Sequence, residues 1–219
     1  MDTALLFDLD GTLVDTEHTH FAAFVEVLAE HDIALDRTAY NARIMGFPGH
    51  EIAASFLPHL SRADGMVVMA RKEQSYRDRL AGVAPAAGAL ELLDFADARG
   101  VKYALVTNAP RANALAVLDA IGITCRFAAI ISGEELAHSK PHPLPYLAGL
   151  EALGAKASRS VAFEDARSGA KAAVAARIPL VGITSTLDAA TLTSLGAAFA
   201  VRDFADPAVL ALIERQLAL

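Results

Sequence analysis

Short apolar runs that end at a polar residue recur along the chain, and this repetition is the feature that most limits its fold. The runs are Ala4 to Phe7, Tyr103 to Val106, Ala129 to Ile131, Val161 to Phe163, Leu180 to Ile183 and Ala198 to Val201. Runs of this length and composition are typical of parallel strands that are buried on both faces. Stretches with helical spacing lie between them, so the pattern predicts an α/β fold with a doubly wound parallel sheet and right-handed crossovers.

One long segment departs from this alternation. Residues 15–80 contain no convincing strand, and apolar residues such as Phe21, Phe24 and Leu28 fall on one helical face. The sequence therefore predicts a small helical cap domain at 15–80, inserted after the first strand into a core domain made of residues 1–14 and 81–219. An insertion at this point follows the carboxyl end of a strand, where ligands bind in open α/β sheets.

Charge and composition argue against several classes of function. The 219 residues carry 19 basic and 26 acidic side chains, a formal charge of -7, which disfavours binding to a nucleic-acid backbone. The sequence shows neither a basic leader nor an apolar stretch of membrane-spanning length, so we expect a cytoplasmic protein without a membrane partner. Cys125 is the only cysteine, which rules out an internal disulfide. The oligomeric state is left open, and a monomer is consistent with the sequence.

The segment Asp8-Leu9-Asp10-Gly11-Thr12 directly follows the first predicted strand. If the strand continued through it, Asp8 and Asp10 would point to the same side of the sheet. Two crowded carboxylates are costly unless a cation neutralises them, and hard oxygen ligands suit Mg²⁺. The segment therefore predicts a magnesium site, and Gly11 allows the sharp turn that leads into the helical segment.

Polar residues near the ends of the other predicted strands complete a set suited to phosphoryl transfer. They are Thr107, Asn108, Lys140, Glu164 and Asp165. Each also has an ordinary structural explanation, and Asn108, for example, is a candidate cap of the helix that follows. Together with Asp8 they supply an anionic nucleophile, a metal site, phosphate donors and an acid/base, which are the groups that phosphoryl transfer requires.

Four segments in this order resemble the motifs of the haloacid dehalogenase superfamily. They are DLDGTLVDTE at 8–17, VTN at 106–108, KPHP at 140–143 and FED at 163–165, and the resemblance covers nearly the whole chain. It implies a Rossmann-like core with a helical cap, as in the β-phosphoglucomutase-like and sugar-phosphatase members. It also implies a Mg²⁺-dependent phosphatase that acts on a small phosphorylated metabolite, a sugar or polyol phosphate, through an aspartyl phosphate.

The resemblance also implies roles for individual residues. Asp8 is the implied nucleophile, Asp10 the general acid/base, and Lys140 a further catalytic residue. The implied phosphate-binding residues are Thr107, Asn108 and Lys140. The implied metal ligands are Asp8, Asp10 through its backbone carbonyl, Glu164 directly or through water, and Asp165.

Two departures from the family pattern limit these assignments. Members whose fourth motif reads E-D usually continue with Ser, whereas Ala166 follows here, so that hydroxyl is absent or comes from Ser168. The loop of the cap that matches the family's specificity loop lacks the basic residue that mutase-like members place there. The resemblance makes His20, Gly46, Phe47 and His50 the candidate substrate-contacting residues of the cap. A basic cluster in the cap, which we expect to form a solvated helix face, comprises Arg71, Lys72, Arg77 and Arg79.

Alternative functions remain open at this point. A phosphosugar mutase shares all four motifs, although its members tend to carry Val where this chain has Thr12. A dehalogenase fits poorly because that class lacks the second aspartate, Asp10. A non-enzymatic phospho-acceptor domain of the receiver type has a similar set of residues, but its acidic pair precedes the acceptor by a whole strand-helix unit and it has no cap.

Overall fold

Six parallel strands form one sheet in the structure, a computed structural model that describes residues 2–45 and 47–217. The strands are β1 (Ala4–Phe7), β2 (Lys102–Thr107), β3 (Ala129–Ser132), β4 (Val161–Glu164), β5 (Leu180–Ile183) and β6 (Phe199–Val201). Their order across the sheet is β3-β2-β1-β4-β5-β6. The order reverses at β1, which pairs with both β2 and β4, and the carboxyl ends of strands at such a reversal form the ligand-binding crevice of open α/β sheets.

The helices fall into two groups. The described helices are α1 (Glu17–Ala29), α2 (Arg37–Arg43), α3 (Gly49–Phe56), α4 (Arg62–Arg77), α5 (Ala89–Ala98), α6 (Arg111–Ala120), α7 (Leu144–Leu153), α8 (Arg167–Ala175), α9 (Ala189–Ser194) and α10 (Pro207–Leu217). The first five lie between β1 and β2, of which α1 to α4 form the helical insertion and α5 leads into β2, and the others follow the later strands. The predicted α/β class with a doubly wound parallel sheet and a helical insertion after the first strand is confirmed.

Side chains alternate between the two faces of the sheet and build two buried layers. On one face Leu6 and Val106 belong to a cluster that also contains Tyr146 from α7 and Ala170 from α8. On the other face the ring of Phe7 stacks on that of Phe163 at 4.8 Å. Because both faces are covered by apolar groups, the strands read as continuous apolar runs, which is why their positions were predictable.

Two compact units make up the chain, one containing the sheet (Met1–Asp15 with Val83–Leu219) and the other the helical insertion (Thr16–Gly82). These boundaries differ by one and two residues from 14/15 and 80/81, the positions expected from the sequence. The helical unit has its own apolar core, which includes Phe24, Leu28 and Leu57. Its helices α2 and α4 begin at side-chain caps, with Asp36 accepting from the Ala39 N–H at 2.7 Å and Ser61 accepting from the Asp64 N–H at 3.1 Å. The role of this unit as a cap stays a prediction.

None of the helices in the described part of the chain combines the length and apolar character needed to cross a membrane. The cytoplasmic location stays a prediction.

Candidate active site

Neighbouring strands β1 and β4 bring three acidic residues together at their carboxyl ends. Asp8 follows β1, Glu164 is the last residue of β4, and Asp165 comes next. The Asp8 N–H donates to the carbonyl of Phe163 at 3.1 Å, so the ladder between the two strands continues up to these residues. One ligand oxygen from each carboxylate lies within 4.8 Å of the others. All three are buried, and only 8% of Asp8 and 1% each of Glu164 and Asp165 is exposed.

Lys140 supplies the positive charge of this cluster. Its Nζ donates to Asp8 Oδ1 and to Glu164 Oε1, each at 2.6 Å, and the residue is 5% exposed. The loop that carries it is tied to Asn108 in both directions. Asn108 Nδ2 donates to the Lys140 carbonyl at 3.1 Å, and the Lys140 N–H donates to Asn108 Oδ1 at 3.0 Å. The Asn108 side chain therefore sets the position of the lysine.

Thr107 and Asn108 lie at the carboxyl end of β2, and Asn108 comes three residues before the next helix begins. Helix α6 begins at Arg111 after Pro110, so the alternative in which Asn108 caps this helix is wrong. The Asn108 side chain is committed to the Lys140 loop instead, because a turn separates it from α6. Thr107 Oγ1 accepts from the Ala109 N–H at 2.9 Å, which leaves the hydroxyl hydrogen of Thr107 as a donor at the carboxyl edge of β2.

The turn after β1 differs from the extended strand considered in the sequence analysis. Strand β1 ends at Phe7, and Asp10 instead forms an isolated bridge with Val14. Gly11 has φ +85, and its N–H donates to the Val14 carbonyl at 2.7 Å. Within the described residues, the acidic group whose ligand oxygens lie close together comprises Asp8, Glu164 and Asp165, so the Asp10 carboxylate is outside it.

The hydroxyl groups of two threonines bind the Asp165 carboxylate. Thr12 Oγ1 donates to Asp165 Oδ1 at 3.1 Å, and the Thr186 side chain forms a further hydrogen bond with the same carboxylate. A Cβ atom at Gly11 would lie 2.2 Å from Asp165 Oδ2, so any other residue there would displace the carboxylate. These threonines were missed as functional candidates, although Thr12 is part of the first motif.

Burial raises the pKa values of the acidic cluster. The pKa of Glu164 is raised to about 8 by burial and by the neighbouring charge of Asp8. The pKa of Asp165 is raised to about 7 for the same two reasons, against the hydrogen bonds from Thr186 and Thr12. Burial also raises the pKa of Asp8, against the attraction of Lys140. For Lys140, burial opposes the charged form, but the charges of Asp8 and Glu164 prevail and raise its pKa. Three carboxyl groups face one ammonium group, so a further cation would favour their charged forms.

These shifts predict how the stability of the metal-free protein depends on pH. Folded Glu164 and Asp165 bind protons more tightly than in the unfolded chain, where their ordinary pKa values are 4.5 and 3.8. The free energy of unfolding is therefore expected to fall as the pH rises from about 5 to about 8. The lowered pKa values of the exposed Asp2 and Asp188 act in the more acidic range and leave this window unaffected. Thermal unfolding in EDTA across the window measures the effect.

The Asp165→Asn variant is the control for this pH dependence. Because it removes one of the two titrating carboxyls, its stability should fall less steeply between about pH 5 and pH 7. A metal-free protein whose unfolding temperature stays constant or rises across the window would contradict the prediction.

Candidate residues of the helical unit occupy different environments. The His20 ring stacks on Tyr76 with centroids 4.0 Å apart, and its Nδ1 lies 2.8 Å from Lys72 Nζ. Phe47 is exposed, and exposed His50 lies 4.0 Å from Glu51 Oε1. Gly46 lies outside the described residues.

The expected solvated face in this unit is wrong for Lys72. Only 3% of Lys72 is exposed, and its ammonium lies 4.6 Å from the centroid of the Phe24 ring. The alternating charges along α4 did not indicate this burial. A lysine can bury its aliphatic stem against apolar neighbours, and the sequence does not show which residues of other helices will pack there.

Comparison with known proteins identifies the family. The sequence model of the haloacid dehalogenase-like hydrolases matches residues 5–183. The chain belongs to this family. The chain is 34% identical over 214 residues to the phosphoglycolate phosphatase of Rhodospirillum rubrum, covering 94% of this chain and 89% of that protein. It is also 30% identical over 203 residues to a phosphorylated carbohydrates phosphatase of Thermotoga maritima, covering 91% and 94% of the two chains.

A solved structure of similar fold supports the family assignment. The structure of CbbY from Rhodobacter sphaeroides in complex with phosphate superimposes with a TM-score of 0.84 at 29% identity and covers 100% of both chains. The predicted membership of the haloacid dehalogenase superfamily is confirmed, as is the prediction that this chain is an enzyme of that hydrolase type. Hydrolases of this family use a divalent metal, and the three carboxylate oxygens within 4.8 Å of one another are a suitable donor set for one.

Proposed function

We propose that this haloacid dehalogenase-like hydrolase is a Mg²⁺-dependent phosphatase that cleaves a small phosphomonoester through an aspartyl phosphate on Asp8. One observation carries the proposal: the buried Asp8 carboxylate lies 2.6 Å from the Lys140 ammonium, in the same cluster as Glu164 and Asp165. A carboxylate nucleophile, a cation for phosphate charge and oxygen ligands for a metal are the groups required for phosphoryl transfer.

In the first step of the proposed reaction, a carboxylate oxygen of Asp8 attacks phosphorus in line with the leaving oxygen. The new bond joins Asp8 to the phosphoryl group, and the bond to the leaving oxygen breaks. Lys140 orients the Asp8 carboxylate before the attack and neutralises part of the phosphate charge during it. Thr107 donates its hydroxyl hydrogen to a phosphate oxygen. Asn108 contributes to phosphate binding indirectly, because its two hydrogen bonds to the backbone of Lys140 fix the position of that lysine.

Asp10 is assigned the two proton transfers. It first gives a proton to the leaving alkoxide and then takes one from the water that hydrolyses the aspartyl phosphate. Asp10 is half-buried and lies two residues after Asp8 in the turn that follows β1.

The metal site of the proposal comprises the carboxylates of Asp8, Glu164 and Asp165 with the backbone carbonyl of Asp10. Oxygen ligands of this kind suit Mg²⁺, which when bound neutralises charge on the phosphoryl group. The hydrogen bonds from Thr12 and Thr186 hold the Asp165 carboxylate in place. They supply hydroxyl donors in a motif where Ala166 stands in place of the usual serine.

The proposed substrate is a sugar phosphate, a polyol phosphate or a small phosphorylated carboxylic acid such as phosphoglycolate. Support comes from relatives that are named for phosphoglycolate and for phosphorylated carbohydrates. We assign selection of the substrate to the helical unit, with His20, Phe47 and His50 as the candidate residues within its described part.

Release of phosphate from a panel of phosphomonoesters tests this function. We expect Mg²⁺-dependent release from phosphoglycolate or from one or a few sugar phosphates, and loss of that release in EDTA, because the three carboxylates need a cation to accept a phosphate dianion. Nucleotides serve as the contrasting substrates. Phosphate release that continues unchanged in EDTA would contradict the metal dependence.

Two other results would point to the alternative functions. Formation of glucose 6-phosphate from β-glucose 1-phosphate with little free phosphate would favour the phosphosugar mutase. A single uptake of phosphate per protein without repeated release would favour the phospho-acceptor domain.

A further inference from the structure

We infer that Tyr146 and Gly169 together position the Glu164 carboxylate for binding of a divalent cation. Neither residue belongs to the four motifs of the sequence analysis, and neither contacts the phosphate in the proposed reaction. The inference rests on the proposed metal site and adds two positioning residues to it.

The Tyr146 hydroxyl forms a buried hydrogen bond to Glu164. Tyr146 lies in the first turn of α7 with none of its surface exposed, and its hydroxyl donates to Glu164 Oε1 at 2.7 Å. Lys140 Nζ donates to the same oxygen at 2.6 Å. Both donors approach Oε1, and no hydrogen bond between described residues involves Oε2, so that oxygen is left available to a cation.

Gly169 provides the space into which the Glu164 carboxylate fits. It lies in the first turn of α8, and a Cβ atom at this position would lie 1.8 Å from Glu164 Oε1 and 2.1 Å from Oε2. Contacts this short are impossible, so any larger residue would force the carboxylate to another position. The glycine therefore leaves room for the carboxylate, and the hydrogen bonds from Tyr146 and Lys140 hold it there.

Packing alone does not account for a tyrosine at position 146. The ring fills space in the apolar cluster beside Leu6 and Val106, and a phenylalanine ring would fill the same space. Its hydroxyl adds one interaction, the bond to Glu164. Partners that orient a metal ligand change metal affinity when they are removed, even though they do not touch the metal.

Removal of the hydroxyl should weaken cation binding without unfolding the protein. Without the hydroxyl, Glu164 Oε1 keeps only the hydrogen bond from Lys140, so the carboxylate is held less firmly beside Asp8 and Asp165. For the Tyr146→Phe variant of the full chain we expect a dissociation constant for Mg²⁺ about 10-fold to 100-fold higher than for the wild type, as for other partners of metal ligands. Isothermal titration with MgCl₂ measures the constant without any substrate.

The chain offers a matched control in Tyr103. This tyrosine is also buried in the sheet unit, and its hydroxyl donates to a carboxylate, Asp97 Oδ1, at 2.9 Å. It lies near the amino end of β2, at the opposite end of that strand from Thr107. Tyr103→Phe should therefore keep the Mg²⁺ affinity of the wild type.

A second pair of variants tests the space at Gly169. Gly169→Ala should weaken Mg²⁺ binding more than Tyr146→Phe does, because it moves the carboxylate itself. Its control is Gly149→Ala in α7, whose Cβ would lie 2.9 Å from Leu6 Cδ2 in the core, away from the carboxylates. Thermal unfolding in EDTA verifies that each variant is folded before it is titrated.

The outcomes separate this inference from the proposed function. Weaker Mg²⁺ binding in Tyr146→Phe and Gly169→Ala, with wild-type binding in both controls, supports the inference. Wild-type binding in folded Tyr146→Phe overturns it and leaves the proposed phosphatase intact. A wild-type protein that binds no Mg²⁺ overturns the proposed metal site and the inference together.

Discussion

Replacement of Asp8 by asparagine is expected to abolish phosphatase turnover, with a loss of at least about 10,000-fold in kcat. The amide has nearly the shape of the carboxylate, so the site stays packed around Lys140. An amide oxygen, however, is a poor nucleophile and cannot form the aspartyl phosphate. Steady-state phosphate release with saturating Mg²⁺ measures the loss.

Asp94→Asn is a suitable control for this variant. Asp94 is an exposed carboxylate that pairs with Arg126 at 2.8 Å, and its replacement should leave kcat unchanged. If Asp8→Asn kept more than about a tenth of wild-type activity, the assignment of Asp8 as the nucleophile would be wrong, since loss of a nucleophile costs several powers of ten.

Replacement of Lys140 by methionine is expected to reduce both stability and activity. The variant keeps most of the volume of the side chain but leaves the buried carboxylates of Asp8 and Glu164 without their cation. Removal of one partner from a buried ion pair costs about 3–5 kcal/mol. Loss of an ammonium that stabilises the transition state lowers kcat by at least about 100-fold. Urea unfolding in EDTA and phosphate release measure the two effects.

The destabilisation by Lys140→Met should also depend on pH. Lys140 has a raised pKa and stays charged throughout the range below its ordinary value of 10.5, so its contribution is fully present near neutrality. At about pH 5 the carboxyl of Glu164 is protonated in the variant, which relieves the unpaired charge, so the loss of stability should be smaller there than at about pH 8.

Lys156→Met provides the matched comparison for this effect. Lys156 is 70% exposed and pairs with Asp2 at 2.8 Å, so its replacement should change the free energy of unfolding far less than that of Lys140. Equal losses of stability in the two lysine variants would show that Lys140 does not compensate the buried carboxylates.

The central sheet was predictable because its strands are buried on both faces. Apolar runs such as Ala4 to Phe7 and Leu180 to Ile183 coincide with β1 and β5, since a strand covered on both sides needs apolar residues throughout. Parallel strands also end at one edge of the sheet. This geometry, together with the order of the motifs, led from the sequence to Asp8 and Glu164, which the structure brings to the same ammonium group.

Features that depend on contacts between distant helices were not predictable in the same way. Tyr146 lies on a helix whose apolar spacing suits any large ring, and only the packing of α7 against the sheet brings its hydroxyl to Glu164. Lys72 was predicted to lie on the solvated face of α4 with its charged neighbours, but it is buried. Asn108 was a candidate helix cap as well as a phosphate-binding residue, whereas its side-chain amide forms two hydrogen bonds with the backbone of Lys140. Each contact joins segments whose distance is set by the tertiary structure.

The bridge that Lys140 forms between Asp8 and Glu164 has a consequence for how the enzyme matures. Proteins whose fold depends on a structural metal cannot complete folding until the ion arrives. Here a side chain of the same polypeptide compensates part of the negative charge of the site. We therefore expect the newly made chain to reach its folded state before it meets a divalent cation, so that removal of the cation stops the proposed reaction without unfolding the protein.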